Sequence, residues 1–147
     1  MGWNTRLVLI AVGAASVPLA DYTVEHLVRD DAVVAQSRDA RTRLLQEIRL
    51  RSALDGAVVT DSGWTIEVSE DWFRSPPAPP WWGREDFEWL EVATSDEMLM
   101  LDPPNRTLRR PGDAVWWYNP TLGVLRARVP PQPDHQLTFE FYTRVNQ

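Results

Sequence analysis

The chain of 147 residues has no cysteine, no lysine and only two histidines, His26 and His135. Without cysteine there can be neither disulfides nor cysteine-ligated zinc, although that absence fixes no redox compartment. Without lysine every one of the fifteen cations is an arginine, which reads as the coding bias of a GC-rich genome. With two isolated histidines there is no His-x-x-x-His or His-Glu-x-x-His pair, and no glycine-rich phosphate loop exists either. A serine triad would need one of those histidines beside a buried acid, and nothing in the pattern supplies one. An enzyme is not expected, and neither a cofactor nor a bound metal is implied. Positive charge is also short. Seven arginines face six acids up to Ser52, and eight face fifteen from Ala53 onward. The second part would be repelled by nucleic-acid phosphate, so a nucleic-acid partner is not expected.

What the chain does have begins at its N-terminus. After Arg6, the fourteen residues Leu7–Ala20 carry no charge. As a helix they would span roughly 21 Å, short of the roughly 30 Å hydrocarbon core unless Met1–Thr5 are added. A cleaved signal peptide, an uncleaved membrane anchor and a buried helix all fit this order. The next segment of the chain favours the anchor. From Asp21 to about Leu54 there is no glycine or proline, and Val33, Ala40, Leu44 and Ile48 recur with helical spacing, widened by Leu45 and Leu54. Glu47 and Arg51 stand one turn apart on the solvent side, and Gly56 is the stop. The expected divisions are an apolar anchor over 1–20, its amphipathic continuation over 21–55 and a sheet domain over 56–147. The positive-inside rule then places a single-pass protein in the inner membrane, with its domain in the periplasm or outside.

Beyond Gly56 the hydrophobic period falls from 3.6 to 2. "AVVT" and "WTIEVS", separated by "DSG", read as a hairpin, with Trp64, Ile66 and Val68 facing one way. "SPPAPP" cannot enter a central strand. "FEWLEVA" and "EMLML" read as strands. Ala114–Tyr118 and Val124–Val129 read as a hairpin, with Leu125, Ala127 and Val129 inward and Arg126 and Arg128 outward. "LTFEFYTRV" alternates most cleanly, with Leu137, Phe139, Phe141 and Val145 on one face. The fold class expected is α+β: one long N-terminal helix, apolar in its first half and amphipathic in its second, packed on an antiparallel β-meander.

Two stretches carry a resemblance. "SVPLADY", with Pro18 and Tyr22, resembles the segment of a type IV pilin in which a proline interrupts the apolar helix. "VWWYNPTLGVLRARVP" resembles the C-terminal hairpin of minor pilins of the mannose-sensitive haemagglutinin type. The matching motifs cover about twenty residues. The glycine cleavage site and glutamate of pilins have no counterpart here, which leaves either a start upstream of Met1 or a relative that is not processed. The resemblance implies a minor structural subunit of a type IV pilus-like or type II secretion-like filament. Its partners would be other pilin-like subunits and the inner membrane. Leu7, Leu9, Ile10, Val12, Val17, Pro18 and Tyr22 would form the membrane and filament helix.

Eight tryptophans give the alternative class. Strand alternation sends either Trp116 or Trp117 outward, and Trp81 and Trp82 follow the proline connector. A secreted or tethered binding module could use Trp81, Trp82 and Trp117, with Arg126 and Arg128, against a protein or glycan. The acids Glu85, Asp86, Glu88 and Glu91 lack the spacing and central glycine of a calcium loop and read as a solvated face.

Overall fold

The computed structural model describes residues 19–74, 77 and 87–147, with side chains from residue 31 onward. Helix α1 runs Leu19–Ser52. Its core stripe is Val33, Val34, Ser37, Ala40, Leu44 and Ile48, all buried, at the spacing that puts residues on one face. Ser37 is small and turns its hydroxyl back onto the Val33 carbonyl at 2.8 Å, so the helix can lie close to its neighbours. The Glu47–Arg51 pair forms at 2.7 Å. After Ser52 the chain turns, and Gly56 adopts a positive φ of 85°, as helix-terminating glycines do.

Three strands come next: β1 (Glu88–Val92), β2 (Ala114–Asn119) and β3 (Val124–Ala127), in the spatial order β1-β2-β3. The chain ends in helix α2 (His135–Asn146). β2 and β3 form an antiparallel hairpin, whereas β1 lies parallel to β2. A parallel neighbour requires a crossover, here residues 93–113, and that crossover decides the architecture.

Strand pairing sorts the side chains onto two faces. Leu90 and Val92 lie beside Trp116 and Tyr118, which lie beside Ala127 and Leu125. This face joins one core with the stripe of α1 and with Phe141, Tyr142 and Val145 of α2. On the opposite face, Glu91, Trp117 and Arg126 are register partners, followed by Asn119 and Arg128. The crossover lies over them. The layers are therefore helices, sheet and crossover, and every residue of β2 is buried.

Several expectations are corrected by this arrangement. The long helix is not apolar: its described length holds Arg38, Arg41, Arg43, Arg49 and Arg51 against Asp31, Asp39 and Glu47. There is no meander, because β1 pairs in parallel through a crossover. Among the described residues no helix is long and apolar enough to cross a membrane, so the single-pass inner-membrane location is not supported. The stretch "LTFEFYTRV" is helical. Asp134, at the end of a proline-rich loop, caps α2 by accepting the Leu137 N–H at 2.8 Å, and the helix buries Phe141, Tyr142 and Val145 while Leu137 and Phe139 stay exposed. "WTIEVS" keeps only one bridge, Val59 to Thr65. "EMLML" forms a helical turn and an exposed loop, with no strand.

α1 and α2 are fastened end to side. Arg38 Nε donates to the Arg144 carbonyl at 2.8 Å and Arg41 Nη2 to the Gln147 carbonyl oxygen at 2.6 Å. Both guanidiniums thus meet acceptors at the α2 C-terminus, where a helix presents bare carbonyls and partial negative charge.

Candidate functional site

The predicted surface residues divide sharply. Trp117, expected to be a candidate for the outer face, is completely buried, as is Trp116. Alternation does send them to opposite faces, but both faces of β2 are covered. Trp116 Nε1 donates to the Pro77 carbonyl at 2.8 Å and Trp117 Nε1 to Glu97 Oε2 at 3.3 Å. Arg128, expected outward, is buried. Its guanidinium donates to the Asn105 and Ala114 carbonyls at 2.8 and 3.0 Å and pairs with Glu91. Arg126 does point from the sheet, onto Asp102 at 3.1 Å. Trp81, Trp82, Glu85 and Asp86 lie outside the described residues, as do Leu7, Leu9, Ile10, Val12, Val17 and Pro18. Tyr22 lies in α1, at a position whose side chain is not described. Glu88 and Glu91 line an open cleft of about 430 Å³ together with Glu97, Asp113, Arg110 and Arg128. Asp113 is held below the usual carboxylate range, first by the backbone N–H of Arg109 and also by that of Arg110. Among the described residues no group of three or more such ligands is placed to hold a metal ion.

A carboxylate missed in the sequence, Asp102, is the hub of the crossover face. Its Oδ1 accepts from Arg126 Nε at 3.1 Å and from the Tyr142 hydroxyl at 2.8 Å, and its Oδ2 accepts from Arg106 Nη2 at 3.3 Å. One residue thereby ties crossover, β3 and α2 together. Arg106 also lies over the rings of Phe139 and Tyr142, 5.6 and 5.2 Å from their centroids. Burial first, and then the bond to Asp102, push the Tyr142 hydroxyl well above its ordinary value, so it stays protonated and is no base near neutrality. The adjoining cleft, about 250 Å³, is lined by these engaged groups. Nearby, burial above all, with Arg126 and Arg38 adding repulsion, lowers the pKa of the Arg41 guanidinium. The network is a clamp.

The sheet end near Asn119 has a different character. Asn119 is fully buried, and its Nδ2 donates to the carbonyls of Glu97, Met98 and Met100 at 3.2, 3.0 and 2.9 Å. The loop so held presents Met98, Leu99, Met100 and Leu101, which are 42, 80, 41 and 60% exposed. The sequence signal was present in the consecutive apolar residues, which read as a strand because nothing local shows that their backbone is bound by a distant asparagine.

No protein-family model, no curated protein and no solved structure matches this chain. The reading of its function therefore stands on its own geometry and on the resemblance.

Proposed function

We propose that this chain is a non-enzymatic structural subunit of a pilus-like or pseudopilus-like filament, assembling through the N-terminal length of α1 with its sheet domain outward. The observation that carries this is the length of α1. Its 34 residues span about 51 Å, and the stretch from Val33 to Ile48, about 23 Å, carries the core stripe described above. Asp31 and Ala32, just before that stripe, are exposed. A helix of that length is an element by which helical subunits stack. Two features of the body depart from a pilin meander, the parallel β1–β2 pair and α2 in place of a last strand. Assembly through α1 requires neither a meander nor insertion into a membrane. The clamp around Asp102 fits a structural role, because its polar groups are engaged with one another.

The absence of cysteine allows a direct test. Single substitutions Thr23→Cys and Val28→Cys on α1, and Gln136→Cys on α2 as a control, are oxidised in the cells that make the protein. The α1 positions are expected to give a ladder of cross-linked subunits and the α2 position a single band. A single band at every position would overturn the reading.

A further inference from the structure

The turn Pro120–Gly123 between β2 and β3 carries two complementary features, one on each side. On one side stands the Met98–Leu101 loop. It is held from within: Asn119 binds the carbonyls of Met98 and Met100 and that of Glu97 just before it, and Glu97 Oε2 accepts from the Thr94 N–H and from Trp117 Nε1 at 3.1 and 3.3 Å. Two buried side chains, Asn119 on the backbone and Trp117 on the Glu97 carboxylate, thus hold a stretch whose own apolar side chains stand in water. Rigid exposed apolar surface of this kind marks an interface, and a pre-ordered loop loses little freedom when it is covered.

On the other side lies an open groove of about 300 Å³ lined by Arg49, Ser52, Ala53, Ser62, Gly63 and Trp64. It is fastened to the same turn. Thr60 and Ser62 donate to the Pro120 carbonyl at 3.0 and 3.2 Å, and Ser62 also to that of Thr121 at 2.7 Å. The Trp64 indole lies directly against Gly123, where a Cβ would fall 2.2 Å from the ring. Leu50 and Leu54, 59 and 52% exposed, extend the apolar character along the end of α1, and Leu122, 39% exposed, lies in the turn itself. The groove suits an aliphatic side chain better than a drug-sized ligand, for which 300 Å³ is the lower limit.

Charge points to the occupant. Asp96 beside the loop and Arg49 in the groove are both exposed, and among the described residues neither has an ion-pair partner. Unpartnered charges of opposite sign attract when the groove of one copy meets the loop of another. We propose that two copies of this chain pair at the β2–β3 turn, Leu99 of each seated in the Arg49–Trp64 groove of the other with Asp96 opposite Arg49. Because loop and groove flank one turn, each copy gives and receives across a two-fold axis, and the interface closes on itself. This pairing is independent of assembly through the N-terminal length of α1, because the groove takes only the last turn of that helix.

Sedimentation equilibrium of the full chain over a concentration series tests it. A monomer–dimer equilibrium is expected. Leu99→Glu and Arg49→Asp should each weaken it by about tenfold or more, as loss of an interface anchor does. Asp96→Arg should weaken it alone, and should restore it when combined with Arg49→Asp. Circular dichroism melts confirm that each variant is folded, and the charge-swapped pair keeps the test decisive if one single variant is not. Monomer at every concentration overturns the proposal, as does a dimer indifferent to Leu99→Glu and to the charge swap. Open-ended growth that Leu99→Glu abolishes overturns the two-fold arrangement.

Discussion

The Asn119 side-chain amide donates to the Met98 carbonyl at 3.0 Å, and the same nitrogen reaches the carbonyls of Glu97 and Met100. The last residue of the central strand thus organises a loop about twenty positions earlier. Asn119→Leu removes the donor and leaves these part-buried carbonyls without it, a total loss of about 1–3 kcal/mol. The expected outcome is a lower urea midpoint and faster chymotryptic cleavage between Met98 and Leu101. Unchanged cleavage would show that the loop is held by something else.

Trp117 gives a second prediction. If it were a surface platform, its removal would cost little stability. Completely buried under the crossover and bonded to Glu97, it should instead cost about 3–5 kcal/mol as Trp117→Ala. Trp117→Phe should recover most of the packing but not the bond to Glu97. Urea denaturation of the two variants against the parent distinguishes these cases, and a near-neutral Trp117→Ala would contradict the burial.

How much of this was legible in the sequence depends on how local each cause is. The core stripe of α1 was readable because helical periodicity is a property of consecutive residues. So was the β2–β3 hairpin, including the inward Leu125, Ala127 and Val129. The orientation of Arg128 was not, because an arginine alternating with apolar residues reads as solvent-facing unless a crossover brings Glu91 and two carbonyls to meet it. The same crossover buried Trp117 and removed the wet face on which the meander reading relied. "LTFEFYTRV" shows strand-like alternation and β-favouring residues, yet the Asp134 cap and burial at Phe141, Tyr142 and Val145 make it a helix. Asp102 sits in "LDPPN", which reads as a turn, and its role comes from Tyr142 forty positions later. Apart from the Asp134 cap, which is local, each missed feature is a contact at long range.

Two of the three tyrosines, Tyr118 and Tyr142, have hydroxyls pushed above their ordinary value by burial, with the bond to Asp102 adding to the shift at Tyr142. A pKa higher in the folded than in the unfolded chain contributes stability that is complete below the unfolded value of about 10 and is lost as pH rises through the folded value. Stability should therefore fall above about pH 10. Titration followed at the phenolate absorbance should show two tyrosines ionising only as the circular dichroism signal collapses. Smooth ionisation of all three near pH 10 with the fold intact would refute the burial of both hydroxyls.

Gly123 and Trp64 offer the sharpest steric test. A Cβ at Gly123 would lie 2.2 Å from the Trp64 ring, and the residue has a positive φ of 63°. Gly123→Ala must therefore displace the indole as well as strain the turn. Overpacking of this kind costs about 1–3 kcal/mol, to which the left-handed backbone adds about 1 kcal/mol. Trp64→Leu shortens the side chain that stands in the way, so the double variant should be less destabilised than the two single losses added together. The φ contribution remains in the double variant, so the relief measures the steric part alone. Thermal unfolding of the four chains in the cycle gives that coupling directly. Strict additivity would place the Trp64 ring away from Gly123 and dissolve the groove that the two residues build beside the turn.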